Sequence, residues 1–329
     1  TKAITSTAVM MLWEQGHFQL DEPISNYIPE FENTGVLATF VESDSSFTTT
    51  PLTTPITIRH LLTHTSGIGY GMIDGDPRIR KAFAKAGIVD AFTAEAVTLK
   101  ENVPKIAQMP LHHQPGEGWT YSEGLDVLGR FVEIVSGMPF DQFLKSRIFD
   151  PLGMEDTWFY LPEQLADRLV PVQHKEDGSW KVFETDVFSI DYPVEGARSF
   201  FSGGAGLSST ARDYYIFLLL MLNKGVYNVV RLLSRTTVEP MRVNQFGDHW
   251  EGGPADFNLA FSVVNADHGV AKGGLGGPGT FEWGGYFNTQ YFADPGEQVI
   301  GILMKQTQGN SGDQTGWKFK QMVFASIAD

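Results

Sequence analysis

The chain opens on a helix with an unusually wide apolar face. Ile4, Ala8, Met11 and Leu12 recur at i, i+4, i+7 and i+8, Val9 and Trp13 widen the apolar face, and Gly16 stands where the helix should stop. A helix apolar around most of its circumference belongs in an interior, so the remaining sequence must enclose it.

Beyond Gly16 the chain is helical for about two thirds of its length and then changes character. Residues 57–67 read as a short capped helix closed by Gly67, and residues 78–108 alternate helix-like runs with polar turns. Leu125, Leu128, Val132 and Val135 mark a long amphipathic helix ended by Gly137; further helices are expected over 139–149 and 210–223, with Gly225 as the stop of the latter. The Ser/Thr-rich stretch 42–57 reads as a surface excursion. Residues 259–264, 280–287, 289–292 and 298–304 have strand lengths and strand composition, with turns at Asp267-His268-Gly269 and Asp294-Pro295-Gly296, and 312–327 reads as a closing helix. The outline is α+β: a mostly helical part beside an antiparallel sheet.

At 329 residues, 42% hydrophobic and 19% charged, the composition is that of a globular protein of roughly two domains. We expect residues 1–15 to form a helix at their interface, 16–200 a mostly helical domain and 201–329 an α/β domain. A net charge of -15 opposes binding to nucleic acid or to an anionic membrane surface and leaves a neutral or apolar small molecule as the expected partner. The absence of cysteine excludes disulfides, thiolate nucleophiles and cysteine zinc sites, and no apolar run approaches the 18 or so residues of a membrane span. Compartment and oligomeric state are not legible from these features.

Three segments carry a resemblance. The opening, Thr1-Lys2-Ala3-Ile4-Thr5-Ser6 continuing through Phe31, resembles the start of the catalytic half of serine β-lactamase-like and penicillin-binding proteins. Tyr121-Ser122-Glu123 is similar to their Tyr-x-Asn or Tyr-Ser element, and Trp283-Gly284-Gly285-Tyr286 stands where β-lactamases carry Lys-Thr-Gly. Residues 59–67 and 203–210 are also similar to family segments. The nearest branches are the class C β-lactamases and the β-lactamase-fold esterases of the family VIII type. The resemblance implies a β-lactamase/transpeptidase-like fold and makes Lys2 the lysine of a Ser-x-x-Lys motif whose serine is expected three positions upstream, with a helix and first strands expected before it. It implies that Lys2 and Tyr121 move the proton, that the Tyr286 N–H belongs to the oxyanion hole, and that Ser122, Glu123, Trp283, Gly284 and Gly285 contact substrate. No cofactor or metal is implied.

The departures from the family pattern bear on substrate. Glu123 replaces an asparagine, and a carboxylate beside Lys2 would keep the ammonium charged while offering no amide donor. Trp283 replaces a lysine, which removes the cation expected to hold a β-lactam carboxylate and supplies an apolar wall. A small carboxylic ester is therefore the expected substrate, with β-lactams or D-amino-acid peptides second and a catalytically inactive binding relative third. Two unrelated readings are weaker. His60 and His64 lie at i, i+4 and His112-His113 adjoin, yet Leu61 stands where a zincin has its glutamate. Thr1 opens a helix, whereas an N-terminal threonine nucleophile sits on a strand.

Overall fold

Helix α1 (Lys2–Glu14) is buried at every position from Ala3 to Leu12. Two of its buried hydroxyls are satisfied within the helix or by a distant segment: Thr7 Oγ1 donates to Ala3 O at 2.8 Å and Thr5 Oγ1 to Gly203 O at 2.7 Å. The helix ends before Gly16, whose φ of 82° lies in the left-handed region that a side chain disfavours. The computed structural model describes residues 1–245, 255–264, 276–309 and 312–327. The turn expected at Asp267-His268-Gly269 lies outside them.

Around α1 are wrapped α2 (Ile58–Leu62), α3 (Pro77–Ala86), α4 (Leu99–Ala107), α5 (Gly124–Ser136), α6 (Phe140–Leu144) and α7 (Asp150–Leu152), with α5 and α6 in direct contact with it. The predicted helix over 139–149 passes through a wider π turn at Lys145–Phe149. Thr57 caps α2 through the His60 amide, and Gly137 ends α5 at φ 69°. Two strands, β1 (Gly35–Val41) and β2 (Ser46–Pro51), form a hairpin whose second strand lies within the stretch read as a surface excursion; the Ser/Thr run of β2 lacks the apolar alternation that announces a strand. A second hairpin pairs β3 (Gln173–Glu176) with β4 (Ser179–Val182).

After α8 (Tyr192–Glu195) comes α9 (Ala211–Leu222), capped by Thr210, then the short pair β5 (Val226–Tyr227) and β6 (Val230–Arg231) and helix α10 (Arg235–Val238). The remaining strands are β7 (Ala255–Phe257), β8 (Ser262–Val264), β9 (Phe281–Gly284), β10 (Gln290–Asp294) and β11 (Val299–Leu303), followed by α11 (Thr315–Ala325). They form one antiparallel sheet in the order β11-β10-β9-β8-β7. Trp283 pairs with Tyr291 and Glu282 with Phe292, so period-two alternation sends these pairs to opposite faces. On one face Tyr291 meets Tyr214 of α9 at 4.8 Å between ring centroids; on the other Phe292 stacks on Phe324 of α11 at 5.3 Å and Glu282 pairs with Lys320. This is the antiparallel sheet flanked by helices that the sequence led us to expect. The main apolar core runs from Ile4 and Val9 through Leu128, Phe140 and Phe217 to Phe281 and Ala293, which joins the N-terminal turn of α1 to the sheet, while Ile79, Ala82, Phe83 and Met109 form a second cluster beside the first hairpin.

Candidate active site

A cavity of about 750 Å3 opens where the first turn of α1, residues 70–73, Tyr121, the segment 204–210 and the β9–β10 connection meet. Lys2 projects from the start of α1 and its Nζ donates to Gly204 O at 2.8 Å. The same segment is held to α1 by Thr5 Oγ1 on Gly203 O and by the Leu207 N–H on Thr1 Oγ1 at 3.0 Å. Gly203 must be glycine: a Cβ there would overlap the Leu125 carbonyl, 2.9 Å from its carbon. A Cβ on Gly204 would lie 3.3 Å from both Tyr70 Oη and Asp126 Oδ1 and 3.6 Å from Lys2 Nζ, so three polar groups converge on this one position.

Asp126, on α5, is the carboxylate that Lys2 feels. It accepts from Ser202 Oγ and from the Gly204 N–H, both at 2.7 Å. Burial raises its pKa to about 6, against the opposing pull of those hydrogen bonds and of the Lys2 charge.

Tyr121 stands across from Lys2, with the ammonium 4.6 Å from its ring centroid. Its ring is fixed by an aromatic set: Tyr70 stacked at 5.5 Å and 18°, His64 at 5.0 Å and Trp283 at 5.9 Å. Burial, then the neighbouring Tyr121, Asp126, Glu123 and Asp90, push the Tyr70 phenol well above its ordinary value, so it remains protonated. His64 accepts the Ser122 N–H at Nδ1, 3.1 Å away, which leaves its ring proton on Nε2. Burial and the Lys2 charge keep this imidazole neutral.

Two expected substrate contacts take other positions. Ser122 is fully buried, its Oγ 3.0 Å from His64 Nδ1 and accepting the Gly124 N–H at 3.2 Å. Glu123 is 1% exposed and turns away from Lys2, accepting the Gly71 N–H at 3.2 Å. Neither lines the cavity. The chain enters α5 immediately afterwards, so the backbone rotates between consecutive residues and only Tyr121 of the three points into the opening. The expectation of a charged carboxylate beside Lys2 is corrected accordingly: burial, then the hydrogen bond and charge of Asp90, push Glu123 well above the carboxylate range, and Asp126 is the acid near Lys2.

Trp283, Gly284, Gly285 and Tyr286 all line the cavity. The strand expected over 280–287 is shorter, because Gly285 N–H donates to Thr289 O at 2.8 Å and turns the chain. A Cβ on Gly285 would meet Thr289 Oγ1 and force that hydroxyl to another rotamer, so glycine keeps this turn compact and open to substrate. Among the described residues the Tyr286 N–H has no backbone acceptor. The Tyr286 ring continues an aromatic wall with Phe92 at 5.5 Å and Phe287 at 5.1 Å.

The histidines weighed as metal ligands have other partners: His60 Nδ1 accepts the Thr57 N–H, His112 pairs with Asp74, and His113 meets Thr120 Oγ1. Among the described residues no group of three or more His, Asp and Glu side chains is disposed to hold a metal ion. Tyr70, Asp126 and Gly204 escaped the sequence reading. The one signal for Gly204 was the likeness of residues 203–210 to a family segment, which assigned it no role.

An antiparallel sheet flanked by helices, with a buried helix that delivers a lysine to a tyrosine at the edge of a cavity, defines the penicillin-binding and β-lactamase class of folds. Residues 1–321 match the Beta-lactamase family model, and the chain belongs to that family. It is 33% identical to Protein Rv1367c of Mycobacterium tuberculosis, over 93% of this chain and 75% of the relative. It is 31% identical to Esterase EstB of Burkholderia gladioli, over 96% of this chain and 78% of that one. Among solved structures it superposes on EstCE1, described as a hydrolase with promiscuous acyltransferase activity, with a TM-score of 0.80, 24% identity, and 98% and 82% of the two chains covered; this likeness concerns the fold. Among the described residues no helix is long and apolar enough to cross a membrane.

Proposed function

We propose that the protein is a serine hydrolase cleaving small carboxylic esters through an acyl-enzyme. The observation that carries the reading is the Lys2–Tyr121 pair, 4.6 Å from ammonium to ring centroid, at the edge of a cavity walled by Trp283 and Tyr286. The nucleophile is the serine expected three positions before Lys2, one helical turn away on the same face. It attacks the ester carbonyl and passes its proton to the Lys2–Tyr121 pair, which in its acceptor form shares one proton fewer than ammonium plus phenol, acts as a unit and returns that proton to the leaving alkoxide. The Tyr286 N–H, together with the serine's own N–H, stabilises the tetrahedral oxyanion. Water then enters along the same path and hydrolyses the acyl-enzyme.

Esters rank above β-lactams for an electrostatic reason. Of the other lining cations among the described residues, Arg168 is paired with Asp156 and Lys305 with Asp313, which leaves neither committed to a substrate carboxylate. The likeness to Esterase EstB supports the same ranking. Full-length protein treated with a fluorophosphonate should gain one adduct, located by peptide mass spectrometry on that serine; absence of the adduct would refute the serine mechanism. Faster turnover of p-nitrophenyl butyrate than of nitrocefin is expected, and the reverse order would make the protein a β-lactamase.

A further inference from the structure

Three successive backbone amides beside the cavity are each captured by a different carboxyl group. The Tyr70 N–H donates to Asp74 Oδ2 at 2.8 Å, the Gly71 N–H to Glu123 Oε1 at 3.2 Å and the Met72 N–H to Asp90 Oδ2 at 2.8 Å. Asp74 is further anchored by His112 at 2.9 Å. The second oxygens of the other two acids, Asp90 Oδ1 and Glu123 Oε2, are buried without a donor among the described residues. Asp90 presses its carboxylate against Gly71, where a Cβ would lie 2.8 Å from Asp90 Cγ and overlap Oδ1. Two acceptor-only oxygens do not lie buried at one glycine as a pair of anions; a single proton between them satisfies both.

We propose that Asp90 and Glu123 share one proton and together form the positioning element of Tyr70, setting the ring on which Tyr121 stacks. Glu123 is then a neutral acid: Oε2–H donates to Asp90 Oδ1 while Oε1 accepts from Gly71. Asp126 on α5 and the Tyr70 phenol interact electrostatically with the pair, and the Lys2 charge on α1 acts on Asp126. Glu123 thereby acts on the site through Tyr70 rather than by touching substrate. Its catalytic consequence rests on the esterase reading; the shared proton does not.

The test compares Glu123→Gln with Glu123→Ala in the full-length protein. A glutamine amide reproduces both hydrogen bonds of the neutral acid, donating to Asp90 and accepting from Gly71, whereas alanine leaves both groups unpaired. In wild type the folded pair holds its proton while unfolded Glu123 ionises above about pH 4.3, so stability falls as pH rises through that range. The glutamine variant has no such proton, so its urea midpoint should exceed that of wild type at pH 8, with the gap closing toward pH 4. Ester kcat/KM should stay within about threefold of wild type in the glutamine variant and fall up to about a hundredfold in the alanine variant, the range that misplacement of a site by an ångström produces. In protein labelled at tyrosine, the Tyr70 ring resonances, assigned with Tyr70→Phe, should move in the alanine variant and stay in the glutamine variant. A glutamine variant as damaged as alanine, with a pH-independent stability deficit, would overturn the proposal. The stability signature without ester turnover in wild type would support the shared proton while refuting the esterase reading.

Discussion

Replacing Asp126 with asparagine tests the electrostatics of the Lys2 environment. Asp126 is 2% exposed, and its folded pKa of about 6 lies well above the ordinary 3.8. Since the folded-state value is raised, the group's contribution is fully present below pH 3.8, where it is protonated folded and unfolded alike. It is lost as pH rises through about 6, because the unfolded chain releases its proton first. A shift from 3.8 to about 6 at roughly 1.4 kcal/mol per unit gives about 3 kcal/mol of stability lost by pH 7. Asparagine accepts the same bonds from Ser202 and Gly204 through its oxygen and carries no titrating proton. The Asp126→Asn protein should therefore be more resistant to urea than wild type at pH 7.5, by up to about 3 kcal/mol, with the difference shrinking steadily as pH falls toward 4. An Asp126→Asn protein less stable than wild type at pH 7.5 would show that the ionised carboxylate is net stabilising through Lys2 and would refute the reasoning.

The remaining expectations concern the proton path and the floor beneath it. Lys2→Ala and Tyr121→Phe should each lower the acylation rate of p-nitrophenyl butyrate by about 10²- to 10⁴-fold in stopped-flow measurements, and near-normal rates would remove the residue from the mechanism. Gly203→Ala forces a methyl against the Leu125 carbonyl, a backbone atom with no rotamer to yield, so it should cost about 1–3 kcal/mol in urea unfolding and lower kcat/KM by shifting Gly204 O away from Lys2. Unchanged stability and activity would mean that the 203–207 segment does not hold Lys2.

Much of the fold was legible before folding was considered. The wide apolar face of residues 4–13 pointed to an interior helix, and α1 is buried from Ala3 to Leu12. Helix stops at Gly16 and Gly137 and the cap at Thr210 follow from backbone chemistry that acts within a few residues. Strand β2 was missed because a Ser/Thr-rich exposed strand leaves no alternation to read. At the site, Lys2, Tyr121 and Trp283 were named from their motifs, and folding brings all three to one cavity.

The amino-acid order by itself determined the main helices and the strands of the C-terminal sheet from β8 to β11, which helix is central and which residue types the site contains, because periodicity, capping and turn chemistry are short-range. Tertiary structure decided where those side chains point and what charge they carry. Glu123 was expected beside Lys2 and lies instead in the protein with Asp90, while Asp126, three residues on, takes the place beside the lysine. Tyr70, Asp90, Asp126 and Gly204 come from four separate stretches of chain. The burial of Tyr70 and Asp126, which sets their protonation, exists only once those stretches have packed together.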